Sequence, residues 1–148
     1  MSTDRILVHA EIAPAFTDAL KSALSQSADP NTPPPTLVNQ ASKTRVEKLI
    51  TSALGSGAHL LNGSLETITT ATTQNEGVRM PPVILGNVHE NMPVWQEENF
   101  ASLASCMVVS SDDEAIRIAN SSGYGLSASV FTEDLRRGFA MARRIQTG

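Results

Sequence analysis

A single cysteine, Cys106, is all the thiol that this 148-residue chain contains. One cysteine excludes an internal disulfide and any cysteine-rich zinc site. Excess positive charge is missing too: 15 acids against 11 bases give a net charge of −4 and an isoelectric point near 5.3. That balance argues against a nucleic-acid footprint, which needs a basic stripe. No apolar run approaches the roughly 18–20 residues that span a bilayer. Only a few apolar positions separate Arg5 from His9 and Glu11, too few for the core of a secretory signal, so a cytoplasmic address is the expectation. Internal repeats are absent. What is present, 41% apolar and 18% charged residues, is the make-up of an ordinary globule with one core.

Along the chain, Arg5–His9 is a short β-prone run, and Pro14 stands near the start of a helix, where its missing N–H costs nothing. Phe16, Leu20, Ala23 and Leu24 then form one apolar helical stripe. From Ser25 to Gln40 the pattern dissolves around Pro30, Pro33, Pro34 and Pro35, which predicts an exposed loop with little to bury. Val46, Leu49, Ile50, Ala53 and Leu54 mark a helix over 43–54, with Ser42 as its N-cap and Gly55 or Gly57 as the left-handed residue that ends it. His59–Leu61 and Pro82–Leu85 read as short strands, and the Thr-rich stretch from Leu65 to Met80 as irregular.

The last third is regular again. Leu103–Val109 is a near-continuous apolar strand of the kind buried on both faces. Ser110 or Ser111 caps a helix over 111–121 whose first turn holds Asp112, Asp113 and Glu114, where carboxylates suit the helix dipole; Ala115, Ile116 and Ala119 form its inner face. Leu126–Phe131 alternates like a strand, and Leu135, Phe139, Ala142 and Ile145 stripe a final helix over 134–145. The order of elements predicts an α/β fold: a layered, largely parallel sheet centred on Leu103–Val109, with these helices packed on it.

Few residues suggest chemistry. Gly55-Ser56-Gly57 begins like a dinucleotide fingerprint, but Leu60 stands where a third glycine is required and the run ends a helix instead of opening one. His9, His59 and His89 lack a second ligand at helical or hairpin spacing, so no metal site is expected. Cys106 lies within the apolar strand, where burial raises a thiol pKa and suppresses its reactivity, and no catalytic role is expected of it. Glu97-Glu98, after Trp95 and before Phe100, offers carboxylates beside an aromatic. Such a pair suits sugar hydroxyls and a flat ligand, although composition alone favours a solvated loop anchored by Phe100.

A set of longer motifs resembles one family. Asp112-Asp113-Glu114-Ala115-Ile116 with Ala119-Asn120, the run Tyr124–Thr132, and Arg143–Gly148 are similar to the aldehyde dehydrogenase catalytic domain. Pro81–Leu85 resembles that family's Pro-Thr-Ile-Leu strand. Met92-x-Val94-x-x-Glu97-Glu98-x-Phe100 resembles its Met-x-Ile-x-x-Glu-Glu-x-Phe-Gly-Pro-Val element, and Arg5–Leu24 resembles the strand and helix after its catalytic cysteine. The likeness is weakest over 29–40 and 63–79. It implies an NAD- or NADP-dependent oxidation of an aldehyde to a carboxylate, in which a cysteine thiolate attacks the carbonyl, hydride passes to the nicotinamide, and a glutamate-activated water releases the acyl group. It also implies that Glu98 binds the hydroxyls of the nicotinamide ribose and that Phe100 packs beside that ribose. Two acceptor oxygens suit a vicinal diol, and a ring limits its movement.

The departures bear on the same residues. Ala101-Ser102-Leu103 replaces Gly-Pro-Val; a positive φ at Ala101 would cost about 1 kcal/mol. The resemblance places the nucleophilic cysteine immediately before Met1, the general-base glutamate and the whole nucleotide-binding domain further upstream, and an oligomerisation strand beyond Gly148. Residues 1–148 are thus expected to be a partial catalytic domain, inactive in isolation and without catalytic residues of its own. The intact enzyme would act on a small aldehyde, with no nucleic-acid or membrane partner, as a possible homo-oligomer. The rival reading is a truncated, non-catalytic interaction domain that pairs with an intact relative, and a third is an unrelated small α/β binding module.

Overall fold

A computed structural model describes residues 3–27, 31–70 and 78–147. Along the chain run β1 (Arg5–His9), α1 (Ala13–Ser27), α2 (Gln40–Gly55), β2 (His59–Leu60), α3 (Leu65–Thr70), β3 (Val83–Gly86), α4 (Pro93–Gln96), β4 (Leu103–Val109), α5 (Asp112–Ala119) and α6 (Leu135–Ala142). The sheet order is β1-β4-β3-β2. β4 pairs in parallel with β1, Arg5 opposite Ser105, and with β3, Val83 opposite Leu103; β2 pairs antiparallel to β3. The expected central strand is therefore central, and the largely parallel α/β layer is the fold found.

Side chains alternate across this sheet as the pleat requires. Val83, Leu85, Leu103, Met107 and Val109 join one apolar cluster with Val46, Leu49, Ile50 and Ala53 of α2, Trp95 of α4 and Ile118 of α5. Val8, Ile84, Ala104 and Cys106 point the other way, where Phe16, Leu20 and Leu24 of α1 cover them. Coverage on both sides explains why β4 reads as a near-continuous apolar run, with only Val108 left exposed. Burial pushes the Cys106 thiol pKa up, as its place in the strand predicts.

Several expectations need correction. Asn39, not Ser42, caps α2: its side chain accepts the Ser42 N–H at 2.8 Å, and the helix begins at Gln40. The end is as expected, with Gly57 at φ 99°. α1 continues to Ser27, while the described part of the proline-rich stretch, 31–40, is exposed as expected apart from half-buried Pro34 and buried Leu37. Prolines lack a donor but keep their carbonyls, so Met80 N–H bonds to Pro35 O (3.0 Å), Leu37 N–H bonds to Val78 O (2.7 Å), and Leu37 enters the core. The Thr-rich stretch opens with a short helix, α3. There Ser64 Oγ accepts the Thr67 N–H at 3.2 Å and Ile68 is buried; residues 71–77 lie outside the described residues. On α5 the buried pair is Ile116 and Ile118, with Ser111 as the cap.

The larger corrections concern the end of the chain. Leu126–Phe131 forms no strand and pairs with none of the described strands. Leu126 is 73% and Phe131 93% exposed. α6 does not pack on the sheet; its stripe residues Leu135 and Phe139 stay exposed, lining a groove with Ala128 and Val130. Polar contacts fasten it to α5 instead. Arg137 Nε donates to Asp112 Oδ2 at 2.6 Å, holding that carboxyl below its usual range, and Arg144 meets Asp113 at 2.7 Å. The Asn120 amide grips the following backbone, donating to Arg144 O and accepting from Gln146 N–H, both at 2.8 Å. Gly125 allows this close approach, since a Cβ there would sit 2.8 Å from Gln146 O. No helix among the described residues is long and apolar enough to cross a membrane.

Candidate ribose-binding edge

The residues singled out in the sequence, Glu98 and Phe100, lie on the loop between α4 and β4, at the edge where the parallel strands begin. Pro93 starts α4 with its fixed φ and absent donor, and Val94 and Trp95 are driven into the core. Trp95 is the largest fully buried side chain. Over its indole lies the Arg5 guanidinium, 5.5 Å from the ring centroid. Arg5 Nε also donates to Trp95 O at 2.9 Å and Nη1 to Ser122 Oγ at 2.8 Å. α4 is thereby tied to the first residue of β1.

Asn99 continues that tie. Its side chain is 1% exposed, and its Nδ2 donates to Asp4 Oδ1 at 2.8 Å and to Val94 O at 3.4 Å. Ser105 N–H donates to Asp4 O at 2.8 Å, joining the same two segments through the backbone. The loop is therefore anchored by Asn99, not by Phe100 as composition suggested; the Phe100 ring is 79% exposed. Neither residue flanking Asn99 is drawn inward with it.

The two adjacent carboxylates have different fates. Arg45, from α2, places Nη1 3.1 Å from Glu97 Oε2, while its Nη2 donates to Glu98 O at 3.3 Å and Asn99 O at 2.8 Å. Among the described residues the Glu98 carboxylate has no hydrogen-bonding or ionic partner, and it is exposed. Glu97 is occupied; Glu98 is free to accept. A free carboxylate one residue from an exposed ring fits a sugar diol with a flat group beside it.

Phe100 carries a backbone feature that the sequence did not announce. Its φ is 47°, in the left-handed region, whereas Ala101 is not among the positive-φ residues; the strain expected at Ala101 sits one residue earlier. A left-handed L-residue costs roughly 1–2 kcal/mol, and glycine would relieve this at an entropic cost of about 0.5–1 kcal/mol. With so little of the ring buried, Phe100→Gly is expected to leave stability unchanged or raise it by up to about 1 kcal/mol, read by urea unfolding. A loss of about 2 kcal/mol or more would mean that the ring packs against the fold and does not wait for a ligand. Strain of this kind is found where surroundings over-determine a backbone for function.

Elsewhere, Gly55-Ser56-Gly57 closes α2 and opens no helix. His9 lies 3.8 Å from Glu11, and among the described residues no group of three His, Cys, Asp or Glu side chains is placed to hold a metal. Sequence reasoning missed Arg45 and Asn99. Arg45 is 52 residues from Glu97, and Asn99 occupies a motif position where any residue is allowed.

Comparison with known proteins bears on this geometry. The family model described as the aldehyde dehydrogenase family matches residues 1–148. A vanillin dehydrogenase of Pseudomonas fluorescens is 32% identical over 153 residues, covering 100% of this chain and 30% of that protein. Among solved structures, an NAD-dependent aldehyde dehydrogenase from Sinorhizobium meliloti superposes with a TM-score of 0.84 at 29% identity, over 98% of this chain and 29% of its own. A succinic semialdehyde dehydrogenase from Streptococcus pyogenes, in complex with NADP+ as the cofactor, gives a TM-score of 0.81 at 29% identity, over 98% of this chain and 32% of its own. The chain thus spans about 30% of the length of the relatives it matches.

Proposed function

This chain belongs to the aldehyde dehydrogenase family, and from that premise we propose that it supplies the nicotinamide-ribose edge of an NAD- or NADP-dependent enzyme that oxidises a small aldehyde to a carboxylate. Glu98 accepts hydrogen bonds from the ribose hydroxyls, and Phe100 lies against the ribose. The observation that carries this reading is the division of labour between the acid pair: Arg45 takes up Glu97, and the Glu98 carboxylate stands without a partner among the described residues, close to an exposed ring. The anchoring of this loop to Asp4, and of α4 before it to Arg5, supports it further. The resemblance puts the nucleophile just before Met1, so the same hydrogen bonds that fix Glu98 would fix its distance from the reacting carbon.

A bound nicotinamide supplies the hydride acceptor. The residues of this chain bind and orient; none of them is assigned a bond-making step. On this reading residues 1–148 are part of a catalytic domain, the nucleotide-binding domain lies outside them, and the intact enzyme works in the cytoplasm as a possible homo-oligomer. One observation favours the rival, a non-catalytic domain that pairs with an intact relative: the apolar groove of Ala128, Val130, Leu135 and Phe139, whose last two side chains stay exposed.

The test is an NMR titration of the isotopically labelled chain with nicotinamide mononucleotide, which carries the ribose diol but no adenosine. Shifts should cluster at 98–100 with millimolar affinity, since one ribose offsets little of the entropy of association. Glu98→Gln should weaken them by at least about fivefold, because a charged acceptor becomes a neutral one. Nicotinamide base, which lacks the diol, should give none. Shifts scattered over the surface, or insensitive to Glu98→Gln, would refute the assignment.

A further inference from the structure

Arg45 contacts three successive residues of the loop, Glu97 by its carboxylate and Glu98 and Asn99 by their carbonyls. We propose that Arg45 is a positioning residue for the ribose site, selecting Glu98 over Glu97 as the carboxylate presented to ligand and holding the backbone that leads into the left-handed Phe100. The inference rests on the reading of Glu98 given above.

Three physical points converge on it. First, two neighbouring carboxylates on one exposed loop would repel each other and present two negative charges to a ligand that itself bears phosphate. Pairing Arg45 with Glu97 leaves one. Both partners of that pair are 40–49% exposed, so the charge effect is screened, and geometry must supply the rest. Second, the geometry does so. A guanidinium offers donors in a fixed plane, and here two of its nitrogens span a carboxylate and two carbonyls at 2.8–3.3 Å. A lysine ammonium, a single point on a flexible stem, cannot reach all three at once. Third, the platform is rigid. Arg45 leaves α2 next to Val46, which is fully buried, and Leu49, Ile50 and Ala53 bury the same helix against the sheet.

Asn99 fixes the middle of the loop from the side of β1, and Arg45 fixes it from the side of α2. Between them the strained Phe100 is over-determined. Without Arg45 the Glu98 carbonyl loses its bond and Glu97 loses its partner, so both carboxylates turn freely to solvent.

The experiment compares wild type, Arg45→Met and Arg45→Lys, all as the 148-residue chain. Backbone order at Glu98 is read from 15N relaxation, and ligand binding from nicotinamide mononucleotide shifts. Circular dichroism confirms an unchanged fold, which the half-exposed position of Arg45 favours. In wild type the Glu98 amide should have an order parameter of about 0.85; Arg45→Met should bring it below about 0.6, with Arg45→Lys between. Nucleotide affinity should fall about tenfold in Arg45→Met and recover in part in Arg45→Lys. An order parameter at Glu98 equal in wild type and Arg45→Met would overturn the proposal, as would lower order with undiminished affinity. If wild type itself shows no shifts at 98–100, the ribose reading fails first and the proposal falls with it, an outcome visible without any Arg45 variant.

Discussion

Replacing Trp95 with alanine should destabilise the chain by about 3–5 kcal/mol, the range for deleting a large aromatic from a packed core. Trp95 is 1% exposed and packs among the buried residues of α2, β3 and β4. The substitution also removes the face under the Arg5 guanidinium, although the Arg5 bond to the Trp95 carbonyl survives because it is made to the backbone. One feature reduces the loss: the indole Nε1 is buried without a hydrogen-bond partner among the described residues, so its removal relieves a desolvated donor. Against a typical total of about 5–15 kcal/mol, the variant should sit near its unfolding midpoint at modest denaturant. Urea unfolding followed by circular dichroism is the measurement, since Trp95 is the only tryptophan. A loss below about 1 kcal/mol would mean that α4 is not held by the core. The loop bearing Glu98 begins where α4 ends, so the same variant should blur the site as well as the fold.

What was legible in the sequence follows from how each feature is encoded. β4 runs over the predicted residues because an apolar strand covered on both sides writes its limits directly, from Leu103 to Val109. The stripe of α2 is likewise periodic, and four of its five marked residues are buried. Periodicity does not say what an apolar face meets. α6 has a strong stripe, yet Leu135 and Phe139 find no layer among the described residues, and Leu126–Phe131 alternates without a strand to pair with. Short-range polar signals were ambiguous for another reason. Asn39 and Ser42 are both good caps, and only backbone geometry, extended at Asn39, decides between them.

The candidate site was half legible. Glu98 and Phe100 came from a motif resemblance, and their exposure agrees with a ligand-facing role. What distinguishes Glu98 from Glu97 is a cation 52 residues away, which no local pattern reveals. Lys43, fully buried on α2 and 3.7 Å from Glu47, was equally invisible: a lysine beside a helix face ordinarily reads as solvated.

The isolated 148-residue chain should not oxidise aldehydes. Attack on a carbonyl needs a thiolate in reach of substrate, and the single thiol of this sequence is 5% exposed on β4, beneath α1, with its pKa raised by burial. No cation lies among the causes of that shift, so nothing counters the desolvation. Cofactor retention is expected to be equally poor. On the proposed reading Glu98 and Phe100 would contact one ribose only, and association costs several kcal/mol before any contact is counted. Calorimetry with free NAD or NADP should accordingly show no measurable heat. The two deficits are independent, and either alone would remove turnover by orders of magnitude.

On the reading proposed above, residues 1–148 contribute a ribose-binding edge and no nucleophile. Nicotinamide absorbance tests it most directly, with the purified chain, NAD or NADP in excess, and benzaldehyde as substrate, alongside Cys106→Ser and a control without protein. The expected result is no cofactor reduction above the control for either protein. Sustained reduction by the wild-type chain would contradict the account, and its persistence in Cys106→Ser would show that a group other than a thiol performs the attack.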